Sequence, residues 1–203
     1  MEHLVSVWPK IAERIRSADR VLLLTDFDGT LSPIAGRPEE AVLPEGTKQA
    51  VHALVARWQV GVAVVSGRAL SDIRNKVGIP GITYAGNHGL EIDGPSLHFV
   101  YAPAEILRPV IRHLYAALNE ALSGFPGAFV EDKGIALSVH YRQVAEERAA
   151  GLKRACEDVI RGPRSEGKVT VVEGKQVYEV RPGVVWDKEN AVNLLMACWA
   201  PST

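Results

Sequence analysis

Asp26 and Asp28 stand one residue apart where an apolar run, LLLTDFDGTL over Leu22–Leu31, breaks at Gly29-Thr30. Two carboxylates at that spacing can divide labour. One can attack phosphorus or hold a cation, and the other can hand a proton to a leaving oxygen. They repel each other, so a hard cation such as Mg²⁺ is expected between them. Asp-Gly at a strand end is equally the mark of a plain Asx turn, and D-x-D-G alone fits both readings. Ser66, in Ser66-Gly67-Arg68, offers a hydroxyl beside the free N–H groups of a helix start. That makes a phosphate cradle, although taken singly it reads better as a helix cap. Lys188 sets a cation at a helix N-terminus, against the dipole, and local rules broken in this way gather at functional sites. A lysine that simply points to solvent is the plainer alternative. Glu131, Lys133, His140, Arg142 and Glu179 offer charged groups suited to sugar hydroxyls and a phosphate. A salt-bridged sheet face is the more frequent origin of such a mixture.

These residues need elements to place them. His3–Ala18 carries Leu4, Trp8, Ile11 and Ile15 at helical spacing and leads into the first strand. That strand is apolar throughout, the pattern of a parallel strand buried on both faces, and it delivers the aspartates to the sheet edge where open α/β sheets bind ligands. Ser32–Leu43 is a proline-bearing loop over the site, and Pro44 starts a helix through Arg57 with a stripe of Val51, Leu54, Val55 and Trp58. His52 reads as a surface or core-edge residue. GVAVV, Gly61–Val65, is the second strand, followed by a helix over Ala69–Val77 that Gly78 ends. Ile82–Ala85 is the third, running into the tight turn Gly86-Asn87-His88-Gly89. Leu90–Ile92 and Leu97–Tyr101 form a hairpin, on which His98 is solvated.

From Ala104 the pattern changes to helix, hairpin, helix, hairpin. The helices are Ala104–Leu122, with Ile106, Val110, Ile111, Leu114 and Leu118 on its apolar side, and Val144–Ile160. The strand pairs are Ala128–Glu131 with Ile135–Tyr141, and Lys168–Val172 with Gln176–Arg181. This is the signature of an α+β layer. The expected organisation is a core of residues 1–102 and 177–203 with an insertion at 103–176. A last helix runs to Ala200 with Val192, Leu195, Met196 and Trp199 as its stripe.

Composition narrows the classes. The 203 residues are 47% hydrophobic and 23% charged, with a net charge of −1, so no basic patch invites nucleic acid or an anionic membrane. No run approaches a membrane span, and MEHLVSVWPK lacks a signal-peptide pattern. Cys156 and Cys198 read as buried small apolar residues in a reducing cytosol, so a cytoplasmic location is expected.

In order, TDFDGTLSPI, VSGR, GNHGLEI, VEDKGIALSVHYR and YEVRPGVVWDK resemble the motifs of trehalose-6-phosphate phosphatases of the haloacid dehalogenase superfamily. The resemblance covers nearly the whole chain. It implies a Rossmannoid α/β core with an inserted α+β cap, and a Mg²⁺-dependent phosphatase of trehalose biosynthesis. It implies Asp26 as nucleophile forming an aspartyl-phosphate, Asp28 as acid and then base, Thr30 and Ser66 on the phosphoryl group, and Lys188 neutralising charge. Asp26 through its side chain and Asp28 through its backbone carbonyl would hold Mg²⁺. Arg68, Asn87 and His88 lie in motifs near the site, and Glu131, Lys133, His140, Arg142 and Glu179 would grip the disaccharide. Two departures stand out. Glu189 follows Lys188 where the family pattern has glycine, and the family continues past Thr203 into a strand ending in further metal-binding carboxylates. The core sheet is therefore expected to be incomplete, with the first strand as an apolar edge. Alternatives within reach are a phosphatase for another sugar phosphate, and a binding fragment with impaired catalysis. A complementing chain or a trehalose-phosphate synthase is the expected kind of protein partner.

Overall fold

The computed structural model describes residues 4–199. His3, Ala200 and Thr203, the expected limits of the first and last helices and of the chain, lie outside the described residues. Helix α1 (Leu4–Ser17) leads into β1 (Val21–Thr25), which pairs in parallel with β2 (Val60–Val65) after α2 (Glu45–Val55) crosses back over the sheet. Helix α3 (Leu70–Val77) returns the chain to β3 (Thr83–Gly86), also parallel. A hairpin, β4 (Glu91–Gly94) and β5 (Leu97–Val100), then extends the sheet antiparallel, giving the order β1-β2-β3-β4-β5. The apolar character of β2 follows from its two covered faces. Val62 and Val64 pack with Val51 of α2 and Ile73 and Val77 of α3. The alternating residues Ala63 and Val65 pack with Ala191 and Leu195 of the last helix.

Helices α4 (Ala102–Ile106) and α5 (Arg108–Leu122) open a second layer. Its sheet contains β6 (Phe129–Asp132), β7 (Leu137–His140), β8 (Val169–Gly174) and β9 (Val177–Pro182) in the order β6-β7-β9-β8, all antiparallel. Helices α5 and α6 (Glu146–Ser165) cover one face, where Ile111, Leu114, Leu118, Leu152 and Ile160 bury Val130, Val139 and Val180. Strand period then dictates the other face. Glu131, Ser138 and Glu179 stand in register across β6, β7 and β9, with His140 two residues on from Ser138. The chain re-enters the first layer after Pro182 and ends in α7 (Lys188–Trp199). An aromatic stack marks that neck, with Tyr101 4.5 Å and Phe99 5.3 Å from the Trp186 ring.

Several expectations change. A boundary at residue 176 assigns Val177–Pro182 to the first layer, yet β9 is hydrogen-bonded between β7 and β8 in the second sheet. The helix expected over Ala104–Leu122 breaks at Leu107, because Pro109 restarts it, and this turns Ile106 outward at 76% exposure. Trp58 lies beyond the end of α2 and is 83% exposed. Met196 is a residue past Leu195, about 100° round α7, and faces away from the sheet. Cys156 is buried as expected, whereas Cys198 is exposed.

Candidate active site

The chain bends sharply after β1 because Phe27, fully buried, anchors three backbone hydrogen bonds: Thr30, Leu31 and Ser32 all donate to its carbonyl. Asp26 and Asp28 therefore flank a fixed point. Asp26 Oδ1 accepts from the Phe27 N–H at 2.7 Å, and Oδ2 accepts from Lys188 Nζ at 2.5 Å. Lys188 reaches it from the first turn of α7. That turn is closed by a reciprocal cap, in which Asp187 Oδ1 accepts from Asn190 N and Asn190 Oδ1 from Asp187 N. The capping carboxylate offsets the unfavourable placement of Lys188 against the helix dipole.

Both oxygens of Asp28 are held by Arg68, from Nη2 at 2.7 Å and Nε at 2.8 Å. The third arm of the fork, Nη1, reaches Asp72 at 2.8 Å. Burial works against the charge on Arg68, but its bonds to Asp28 and Asp72 outweigh that and hold its pKa above the ordinary value. Ser66 is buried, and its Oγ accepts from Arg68 N at 3.2 Å within the turn, so it does not cap the helix, whose N-cap is Ala69. Thr30 is exposed on the acidic turn.

Asp28 and Arg68 border a cavity of about 660 Å³, which Asp26, Thr30, Ser66 and Lys188 do not line. The first layer supplies Asp28, Gly67, Arg68 and the loop Ile34–Pro38, and the second supplies Glu131, Lys133, Ser138, His140, Arg142 and Glu179. Every second-layer residue expected from sequence is thus on one wall. Glu131 Oε2 accepts from His140 Nε2 at 2.8 Å, and the His140 ring stacks on Phe129 with centroids 4.5 Å apart. Burial would raise the Glu131 carboxyl, but His140 and Lys133 hold it below the usual range. Burial would likewise raise Glu179, and His88, Lys133 and Arg181 bring it down to about 2. Arg142 spans from the second layer to donate to the Gly36 carbonyl.

Asn87 and His88, expected near the substrate, do not line this cavity. Asn87 is buried, and its amide donates to Glu91 at 2.8 Å and to the Lys133 carbonyl at 3.0 Å. His88 meets Arg181. Sequence reasoning missed Arg181 and Ser138. The signal for both was strand alternation, since each lies two residues from a residue already singled out, Glu179 and His140 respectively.

The oxygens expected to hold Mg²⁺, the Asp26 side chain and the Asp28 backbone carbonyl, are the hard donors that ion takes. All four side-chain oxygens of Asp26 and Asp28 accept a hydrogen bond from Lys188, Arg68 or a backbone N–H, and each keeps a second lone pair. Among the described residues no group of three or more His, Cys, Asp or Glu could hold an ion. In this arrangement Lys188 and Arg68 face the charge of the two aspartates.

A family model described as trehalose-phosphatase matches residues 24–201. A probable trehalose-phosphate phosphatase of Oryza sativa is 35% identical over 195 residues, covering 95% of this chain and 52% of the relative. A trehalose-phosphate phosphatase of Mycobacterium bovis is 40% identical over 164 residues, covering 80% and 40%. The chain thus spans about half the length of the curated relatives it matches. The C-terminal domain of Candida albicans trehalose-6-phosphate phosphatase has the same fold, with a TM-score of 0.76 at 24% identity over 93% of this chain and 66% of that one. With the family model spanning residues 24–201 of 203, the chain belongs to the trehalose-phosphatase family.

Proposed function

We propose that this chain carries the machinery of a phosphatase that hydrolyses trehalose 6-phosphate to trehalose and phosphate. The observation that carries the reading is the Lys188–Asp26 contact, which joins residues 162 apart in sequence into one cation–carboxylate pair at the C-terminal end of β1. A carboxylate oxygen of Asp26 attacks phosphorus as the bond from phosphorus to the sugar oxygen breaks. Asp28 gives that oxygen its proton. Water then attacks the aspartyl-phosphate while Asp28 takes a proton back, which releases phosphate and restores Asp26. Lys188 and Arg68 offset the phosphoryl charge, and the groups on the cavity wall orient the sugar. The cavity lies within the range of about 300–1,000 Å³ common to small-molecule sites.

Mg²⁺ dependence belongs to the family expectation; the Asp26 side chain and the Asp28 backbone carbonyl would hold the ion, which would supply charge stabilisation to the phosphoryl group, and no step above uses one. The trehalose assignment over other sugar phosphates rests on the relatives and on the wall of Glu131, Lys133, His140 and Glu179. A cytoplasmic setting goes with the two unpaired cysteines, and a trehalose-phosphate synthase is the proposed functional partner.

The experiment is phosphate release from trehalose 6-phosphate, beside a panel of other sugar phosphates, for the native chain and Asp26→Asn. Release from trehalose 6-phosphate that the substitution abolishes is the expected result. A second reading, binding without turnover, is favoured by the full engagement of both carboxylates by Lys188 and Arg68. Calorimetric binding of trehalose 6-phosphate with release no greater than that of Asp26→Asn would establish it.

A further inference from the structure

We propose that Arg181 is a positioning residue that sets the second sheet on the phosphate turn Ser66–Arg68, acting through His88. Arg181 stands on β9 and does not line the large cavity. Its guanidinium bonds Glu179 on the same strand and crosses to the first layer, where Nη2 lies 2.6 Å from His88 Nε2. A guanidinium has five donors and no acceptor. The other neighbour of His88 Nε2, Glu179 Oε2, lies 3.6 Å away, beyond a normal hydrogen bond, so Nε2 accepts from Arg181 and the ring proton sits on Nδ1.

His88 passes this constraint to the turn. It holds a left-handed backbone, φ +59°, and its N–H donates to the Ser66 carbonyl at 2.8 Å. Its ring lies against Gly67, where a Cβ would stand 2.7 Å from Cε1 and 2.8 Å from Nε2. The neighbouring contacts act in the same sense. Lys133 Nζ, from the loop after β6, donates to the Gly67 carbonyl at 3.2 Å, and Asn87 N donates to the Arg68 carbonyl at 2.7 Å. Three consecutive carbonyls of the turn are thus each held by a separate donor. Asn87 also bonds the Lys133 carbonyl, so at this turn the two layers are tied both directly, through Lys133 and Asn87, and through Arg181 and His88.

The consequence concerns ligands that span the layers. The turn faces the phosphate and the second sheet faces the sugar. A ligand touching both gains from their fixed separation, whereas one touching the turn alone gains nothing. The choice of ligand rests on the proposed phosphatase reading; the His88 tautomer does not.

The test begins with ¹⁵N NMR of the imidazole rings in the native chain, with the His88 signal assigned by its loss in His88→Gln. The proton is expected on Nδ1, and a His88 ring protonated on Nε2 alone overturns the proposal. Calorimetry then compares trehalose 6-phosphate and inorganic phosphate on native chain, Arg181→Leu and Arg181→Lys. Arg181→Leu is expected to weaken trehalose 6-phosphate about tenfold to a hundredfold, the worth of a charge-assisted hydrogen bond. Inorganic phosphate should stay within about twofold, and Arg181→Lys should recover most of the loss. Equal weakening of both ligands, or of neither, refutes a positioning role. If the native chain binds phosphate but no trehalose 6-phosphate, the substrate reading fails and the tautomer decides the role of Arg181.

Discussion

Replacing Gly89 by alanine tests how the core of the fold holds the site. Gly89 closes the turn after β3 with φ +89°, and a Cβ there would stand 2.1 Å from the Cβ of Ala191, which is fully buried on α7 three residues after Lys188. Two costs add. The left-handed backbone costs an alanine about 1–2 kcal/mol, and overpacking a rigid contact costs about 1–3 kcal/mol more. Gly89→Ala should therefore lose about 3 kcal/mol of unfolding free energy in urea melts. Removing the obstacle separates the two terms. With the Ala191 Cβ gone, the nearest atoms to the new methyl are Ala191 Cα and Trp186 Nε1, both at 3.4 Å, an ordinary contact. Ala191→Gly alone costs about 1 kcal/mol for glycine in a helix, and a little more for the lost buried methyl. The double variant should keep the backbone and helix costs but shed the clash, so the cycle should show a favourable coupling of about 2 kcal/mol. A coupling below about 0.5 kcal/mol, or a neutral Gly89→Ala, would show that α7 does not rest on this turn, and the account of how Lys188 is placed would fall with it.

Lys188→Met should leave the fold intact, because removing a cation from a helix N-terminus is neutral or slightly stabilising. Phosphate release should nevertheless fall by at least about a hundredfold; a large drop in melting temperature would contradict the assignment. Glu179 sits at about 2 in the fold against 4.5 ordinarily, and Glu131 is also held low. Their contribution is present above pH 4.5 and is lost as pH falls toward 2, a decline of roughly 2–3 kcal/mol for Glu179. Urea midpoints measured from pH 7 down to 2.5 should follow that fall, and Glu179→Gln should flatten it below pH 4.5. A thiol reagent should titrate one cysteine in the native chain, the exposed Cys198, and two after unfolding. Cys156 is buried, and burial pushes its thiol up to about 11. Two fast-reacting thiols in the native chain would contradict its burial.

The elements that carry chemistry were legible because their signals are local. An apolar strand running into Asp26-Phe27-Asp28-Gly29, and another into Ser66-Gly67-Arg68, each announce a strand, a turn and a helix within a dozen residues. The cavity wall was legible for the same reason, since alternation along β6, β7 and β9 sends Glu131, His140 and Glu179 to one side. What escaped depends on partners far along the chain. Nothing near Val177 says that β9 will lie between β7 and β8, and helical period marks an apolar stripe without saying how far the covering surface extends. Ile106, Trp58 and Met196 were lost that way. How the two aspartates are neutralised was hidden for a related reason. Two aspartates show that charge must be neutralised, but whether Arg68 and Lys188 or an ion does so is decided by residues 40 and 162 positions away.

The aromatic neck has a consequence for how the molecule opens. Tyr101 precedes the second layer and Trp186 follows it, so their contact staples together the two ends of one long excursion of the chain. The apolar cluster inside that excursion is separate from those flanking the first sheet. Once the ends are stapled, the entropy of the intervening loop grows only logarithmically with its length. The second layer can therefore melt as a unit while the first stays folded. In native-state hydrogen exchange the amides of β7 and β9 should share one opening free energy and those of β2 a higher one. Such an excursion would remove the sugar-facing wall while leaving Lys188 on Asp26.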